Sequence, residues 1–142
     1  MKKNRFLLAT LFLVVIPAVA MAKPSPQDTA RRQAILKDYK TNPPACQGDE
    51  DCAAKWSAAQ QFVTGTASYK IKTTTSTTIA TYPSPVGETG VAMTVTKRPN
   101  AGNKKYKFDI DVRCGAPDPG QCDRDLWSVM ADFKHTLEKA KP

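Results

Sequence analysis

Histidine is nearly absent: His135 stands alone in 142 residues. A Ser-His-Asp system would have to use it, and no G-x-S-x-G nucleophile elbow accompanies it. His135 also falls away from the apolar stripe of its helical segment, which predicts a solvated imidazole with no activating partner. The chain lacks an H-E-x-x-H pair, a phosphate-cradling glycine loop and a dinucleotide fingerprint. It lacks a C-x-x-C redox pair as well. Neither a metal nor an organic cofactor is therefore expected. Acids are the minority, 13 against 21 lysines and arginines. No apolar run is long enough to span a bilayer, which needs ~20 residues.

The longest such run, Phe6 to Ile16, is broken only by Thr10 and follows Lys2, Lys3 and Arg5. Pro17 interrupts any helix, and Ala20-Met21-Ala22 fits a small-x-small cleavage pattern. This three-part layout predicts a secretory signal peptide over 1–22, cleaved after Ala22, and a single domain over 23–142. The compact Lys-rich leader is of bacterial type, so the expected destination is the periplasm or the medium, with no membrane span in the mature form. The leader holds three of the bases and no acids. The remainder carries 18 bases against 13 acids, a net of +5. Such a balance steers acidic partners towards the protein. It falls short of the basic stripe with interleaved aromatics that nucleic acid would require.

All four cysteines, Cys46, Cys52, Cys114 and Cys122, follow the leader. An even count in an exported chain predicts disulfides. Four cysteines allow three pairings, and the local one, 46–52 with 114–122, is favoured because each bond closes a short loop. C-x5-C and C-x7-C spacings suit zinc poorly. Between the first two cysteines lie Asp49, Glu50 and Asp51, consecutive and hence divergent, unlike the alternating ligands of a calcium loop. They suit a helix start better. Acids in a first turn oppose the positive end of the helix dipole, with Asp51 as the expected N-cap and the helix beginning at about Cys52.

Periodicity orders the rest. A first helix is expected from Asp28 or Thr29 to about Lys40, ended by Pro43-Pro44. A second, from about Cys52 to Phe62, carries Cys52, Trp56, Ala59 and Val63 on one face, with Gly65 as its stop signal. Tyr69, Ile71 and Thr73 alternate with lysines as a half-buried strand does, and the polar run Thr73–Thr78 predicts an exposed hairpin or edge. Val91, Met93 and Val95 form one strand. Tyr106, Phe108, Ile110 and Val112 form another, with the turn 99–103 between them. Inward odd residues on the first must face inward even residues on the second. The last helix carries Leu126, Val129, Met130, Phe133 and Leu137 on one stripe. Asp118-Pro119 is its expected start, which would put Cys122 on that stripe and join it to an inward Cys114. The order α, α, β, β, β, β, α predicts an α+β fold: an antiparallel sheet of about four strands with helices packed on one face, and two disulfides.

Lys97, Arg98, Lys104, Lys105 and Lys107 gather at one hairpin end, with Lys70 and Lys72 as further candidates. This cluster is the expected binding site for an acidic protein, lipid or polysaccharide. The predicted function is a small exported non-enzymatic binding protein, of inhibitor or immunity type. Two alternatives are a cell-wall hydrolase built on Asp109 and Asp111, and a structural module of an envelope assembly.

Overall fold

Strand alternation sets the architecture seen in the computed structural model, which describes residues 25–142. The expected leader, residues 1–22, lies outside the described residues. The elements are α1 (Pro26–Thr41), β1 (Ala45–Gln47), α2 (Asp49–Thr66), β2 (Ile71–Thr74), β3 (Thr78–Thr81), β4 (Val91–Pro99), β5 (Lys105–Cys114) and α3 (Leu126–Lys139). The strands form one antiparallel sheet in the order β1-β5-β4-β3-β2. The fold is α+β with two disulfides, Cys46–Cys52 and Cys114–Cys122.

The β4–β5 register pairs Val91 with Cys114, Met93 with Val112 and Val95 with Ile110. Odd residues on one strand thus meet even residues on the other, as the alternation requires. These side chains other than Cys114, together with Ile79, are buried beneath Ala59 and Val63 of α2 and Val129, Phe133 and Leu137 of α3. A one-residue slip would bury Lys107 and Asp109 instead. Phe62 meets Phe133 edge-on at 5.4 Å between ring centroids, and Trp56 stacks over Phe108 at 6.1 Å. Aromatic contacts of this kind add to the area that the rings bury.

The sheet has five strands, one more than expected. β1 is three residues between Pro44 and Gly48, too short to show an alternation. It is recruited by pairing, with Cys46 opposite Tyr106, Phe108 N–H donating to the Pro44 carbonyl (2.8 Å) and Gly48 N–H to that of Lys104 (3.0 Å). α2 begins at Asp49, earlier than Cys52, because Gly48 adopts a φ of 81° and turns the chain directly into the helix. Asp51 is not the cap. Its carboxylate accepts the Gln47 N–H (2.9 Å) and pairs with Lys55 (3.0 Å). Gly65 does not stop α2, which runs on to Thr66 before Ala67 turns extended. Asp118-Pro119 opens only a single 3-10 turn, Pro119–Gln121, and Cys122 ends it. Asp125 supplies a second cap through Ser128 N–H (3.3 Å), so α3 starts at Leu126. Cys122 therefore lies outside the α3 stripe, and its bond ties the end of β5 to the segment leading into α3.

α1 starts at Pro26, earlier than Asp28, because Ser25 is its cap: the Ser25 hydroxyl accepts the Asp28 N–H (3.1 Å), and the helix buries only Tyr39 among the described residues. Polar clamps hold it. Lys134 reaches Asp38 (2.6 Å), and the Tyr39 hydroxyl donates to the Phe108 carbonyl (3.0 Å), on the β5 edge where β1 ends. Burial first, then the Asp109 charge, push the Tyr39 phenol far up against a backbone bond from Ile110, so it stays protonated and donating. Tyr39→Phe leaves a buried carbonyl unpaired, and its expected cost is about 1–2 kcal/mol in a denaturant titration.

Candidate functional site

The helices cover one face of the sheet, so the even positions of β4 and the odd positions of β5 form the other. Across it the register sets Ala92 opposite Arg113, Thr94 opposite Asp111, Thr96 opposite Asp109 and Arg98 opposite Lys107. Gln47 of β1 pairs with Lys105, and Ala80 of β3 with Thr94. The floor is thus alanine and threonine, and most of its charges sit on β5, with Arg98 at the end of β4.

The structure divides the five expected cations. Lys97 has the inward parity. Its Nζ lies 5.1 Å from the Trp56 ring centroid and 5.3 Å from that of Tyr106, so it caps the open end of the core. Lys104 sits in the turn at φ 52° and its ammonium pairs with Asp49 at 2.5 Å. That hydrogen bond, then the Asp49 charge, raise the Lys104 pKa. The pair is exposed and contributes little to stability. Arg98, Lys105 and Lys107 belong to the open face. Arg98 holds Asp109 at 3.0 Å, while no ion pair among the described residues engages Lys105 or Lys107. Lys70 and Lys72 do not join this cluster. The Tyr82 N–H donates to the Lys70 carbonyl at the far end of the sheet, level with Arg113. Lys107 and Arg113 are six positions apart along β5, or about 20 Å of strand.

At that far end lies a groove of about 470 Å³, whose lining includes Lys72, Ala80, Ala92, Thr94, Asp111 and Arg113. Small outward residues on adjacent strands leave the depression. Arg113 and Asp111 pair across its margin at 2.7 Å. Lys72 lies at the other margin, 5.8 Å from the ring centroid of the exposed Tyr82. Sequence reasoning missed this groove, although the outward positions Ala80, Ala92 and Thr94 were its available signal. Counting Lys72 with the β4 and β5 positions, the face carries Lys72, Arg98, Lys105, Lys107 and Arg113 against Asp109 and Asp111, a formal net of +3.

Asp109 and Asp111, the carboxylates of the hydrolase alternative, have exposed side chains (38% and 53%) and each is paired with an arginine. A general acid with a raised pKa requires the opposite surroundings. His135 is exposed and makes no side-chain hydrogen bond among the described residues. Among those residues no group of three His, Cys, Asp or Glu side chains is placed to hold a metal ion. The Thr/Ser run is both hairpin and edge. Thr75 Oγ1 accepts the N–H groups of Thr77 (3.2 Å) and Thr78 (2.9 Å), closing the turn, and β2 is the last strand of the sheet. A register irregularity between Ile71 and Thr73 disturbs that edge as a template for strand addition.

Compared with known proteins, the chain matches no family model, no curated protein and no solved structure.

Proposed function

We propose that this chain is an exported, non-enzymatic binding protein that holds a linear acidic polysaccharide on the open face of its sheet. The observation that carries the reading is the net-positive face, uncovered among the described residues, with lysines that have no ion pair among those residues at one end and the Lys72–Arg113 groove at the other. A polymer with regularly spaced carboxylates can engage both ends at once, where a single small anion cannot. Thr73, Thr94 and Ser84 line the groove with hydroxyls for sugar hydroxyl groups. Tyr82 offers an exposed ring beside them. A lipid surface is a poorer match. Among the described residues the exposed large hydrophobics are only Tyr82 and Val86, too few to enter a bilayer. Export through the leader ending at Ala22 accords with the two disulfides, which persist in oxidising compartments. No helix of the described residues is long and apolar enough to cross a membrane.

The test is calorimetric binding to a polyuronate and to neutral dextran at two salt concentrations. Binding is expected for the polyuronate alone, weakening as salt rises. The variant K72E/K107E/R113E is expected to bind at least about tenfold more weakly, since it reverses three charge-assisted contacts. Its melting curve checks that the fold is kept. Equal binding to dextran, or affinity unmoved by the reversals, overturns the reading. Shortening of the polyuronate during incubation would transfer it to the carboxylate alternative.

A further inference from the structure

On the helical side of the molecule, away from the sheet's open face, three guanidinium groups line one cleft. It measures about 310 Å³ and lies between the first half of α1 and the loop closed by Cys114–Cys122. Arg31, Arg32 and Arg124 line it together with Asp28, Asp125 and Trp127. Both carboxylates are already engaged. Asp125 accepts the Ser128 N–H (3.3 Å) and hydroxyl (2.6 Å) and pairs with Arg31 at 3.5 Å. Asp28 accepts the Ser25 hydroxyl at 2.7 Å. That bond first, then a backbone bond from Ser25 and the Arg32 and Arg31 charges, hold the Asp28 carboxyl below its usual range despite some desolvation. Arg31 spends its other amino group on Ser128 Oγ (2.6 Å). Arg32 and Arg124 have no ion pair among the described residues. The Trp127 ring forms one wall, and its buried Nε1 has no acceptor among them.

We infer that this cleft is a second binding site, for a small molecule bearing a phosphate or carboxylate group, held by the unpaired guanidinium forks of Arg32 and Arg124 against the Trp127 wall. A guanidinium presents parallel donors that match two oxygens of either anion, and two such forks from different elements define a site where one lysine would not. The volume is at the small end for ligand sites, which limits the occupant to roughly a single ring or a short chain with its anionic group. An occupant would join α1 to the segment before α3. α1 otherwise has few apolar contacts, so occupancy is expected to slow hydrogen exchange along it.

The two tryptophans make the test selective. Trp127 lines the cleft, whereas Trp56 lies under Lys97 at the hairpin end. In a nitrogen-15 spectrum the Trp127 indole cross-peak is expected to move saturably as inorganic phosphate is added, while that of Trp56 stays still; a W56F variant assigns them. A parallel titration with succinate separates a phosphate site from a carboxylate site, and saturation by either supports the inference. R32A/R124A is expected to weaken binding about tenfold or more, and R32K/R124K to fall between, because lysine keeps the charge and loses the fork. Arg124 is exposed and Arg32 half-buried, and the single variants R32A and R124A give the same reading if the double variant fails to fold. A Trp127 peak that does not saturate with either anion, or shifts that persist unchanged in the arginine variants, overturns the site. Neither result bears on polyuronate binding at the sheet face.

Discussion

Gly115→Ala is expected to destabilise the protein by about 3 kcal/mol or more, a large loss for one methyl group. A Cβ at this position would lie 1.6 Å from the Pro85 carbonyl oxygen and 2.6 Å from its carbon. These are backbone atoms, so no rotamer change relieves the clash. The 83–90 loop would have to lift from the end of β5. Lifting breaks the Gly87 N–H bond to the Gly115 carbonyl (2.7 Å) and the Gly115 N–H bond to Ser84 Oγ (2.9 Å). It also parts Ser84 from the Tyr69 hydroxyl, 3.2 Å away. Gly48 is the useful contrast. Its φ is 81° and ψ 167°, but nothing lies within 4 Å of the position a Cβ would take, so Gly48→Ala is expected to cost about 1–3 kcal/mol, from backbone strain alone. Urea midpoints for the two variants provide the comparison. Equal losses would mean that the loop does not dock on Gly115.

Nothing in the sequence marks Gly115 as different from the other glycines, because its constraint comes from a segment thirty residues away. The legible features were those with a period. Val91-Met93-Val95 and Phe108-Ile110-Val112 announce two strands and their register, since only one alignment buries both sets. Phe133 and Leu137 announce the covering helix in the same way. β1 has no period to read: Ala45–Gln47 is a strand because Tyr106 and its neighbours offer a partner. The start of α3 was misplaced because two Asp caps compete within eight residues. Asp125 wins, since the segment from Asp118 is committed to the disulfide and its 3-10 turn. Charge was the least legible feature. Proximity along the chain grouped Lys97 with Lys107, yet strand parity sends Lys97 to the rings of Trp56 and Tyr106 and leaves Lys107 on the open face. The reverse holds for Lys72 and Arg113, far apart in sequence and gathered by the β2-β3-β4-β5 order into one groove.

Opening both disulfides is expected to remove about 4–5 kcal/mol in total, since loops of 6 and 8 residues each restrict the unfolded chain by roughly 2–2.5 kcal/mol in the chain-entropy account. Against a total of about 5–15 kcal/mol for a domain of this kind, that loss leaves the chain near its unfolding threshold. The two bonds should not be equal in their local effects. Around Cys46–Cys52 the chain is held redundantly. Gln47 N–H reaches Asp51 (2.9 Å), Lys55 reaches the Ala45 carbonyl (2.8 Å), and β1 is paired with β5. C46S/C52S is therefore expected to lower the urea midpoint while exchange protection in β1 and the first turn of α2 persists. Beyond Gly115, which is bonded to the 83–90 loop, the segment leading to α3 has little besides its own 3-10 turn and the Asp123 N–H bond to the Thr89 carbonyl (2.9 Å). C114S/C122S is expected to release residues 116–124, raising their exchange towards that of a free chain while the β4–β5 amides stay protected. The same release would displace Arg124 and the wall that Cys122 contributes to the arginine cleft. Loss of the Trp127 response to phosphate with the sheet intact would then trace the cleft's geometry to this one crosslink. Uniform loss of protection across both variants would instead show that each bond acts on the whole fold through the unfolded chain alone.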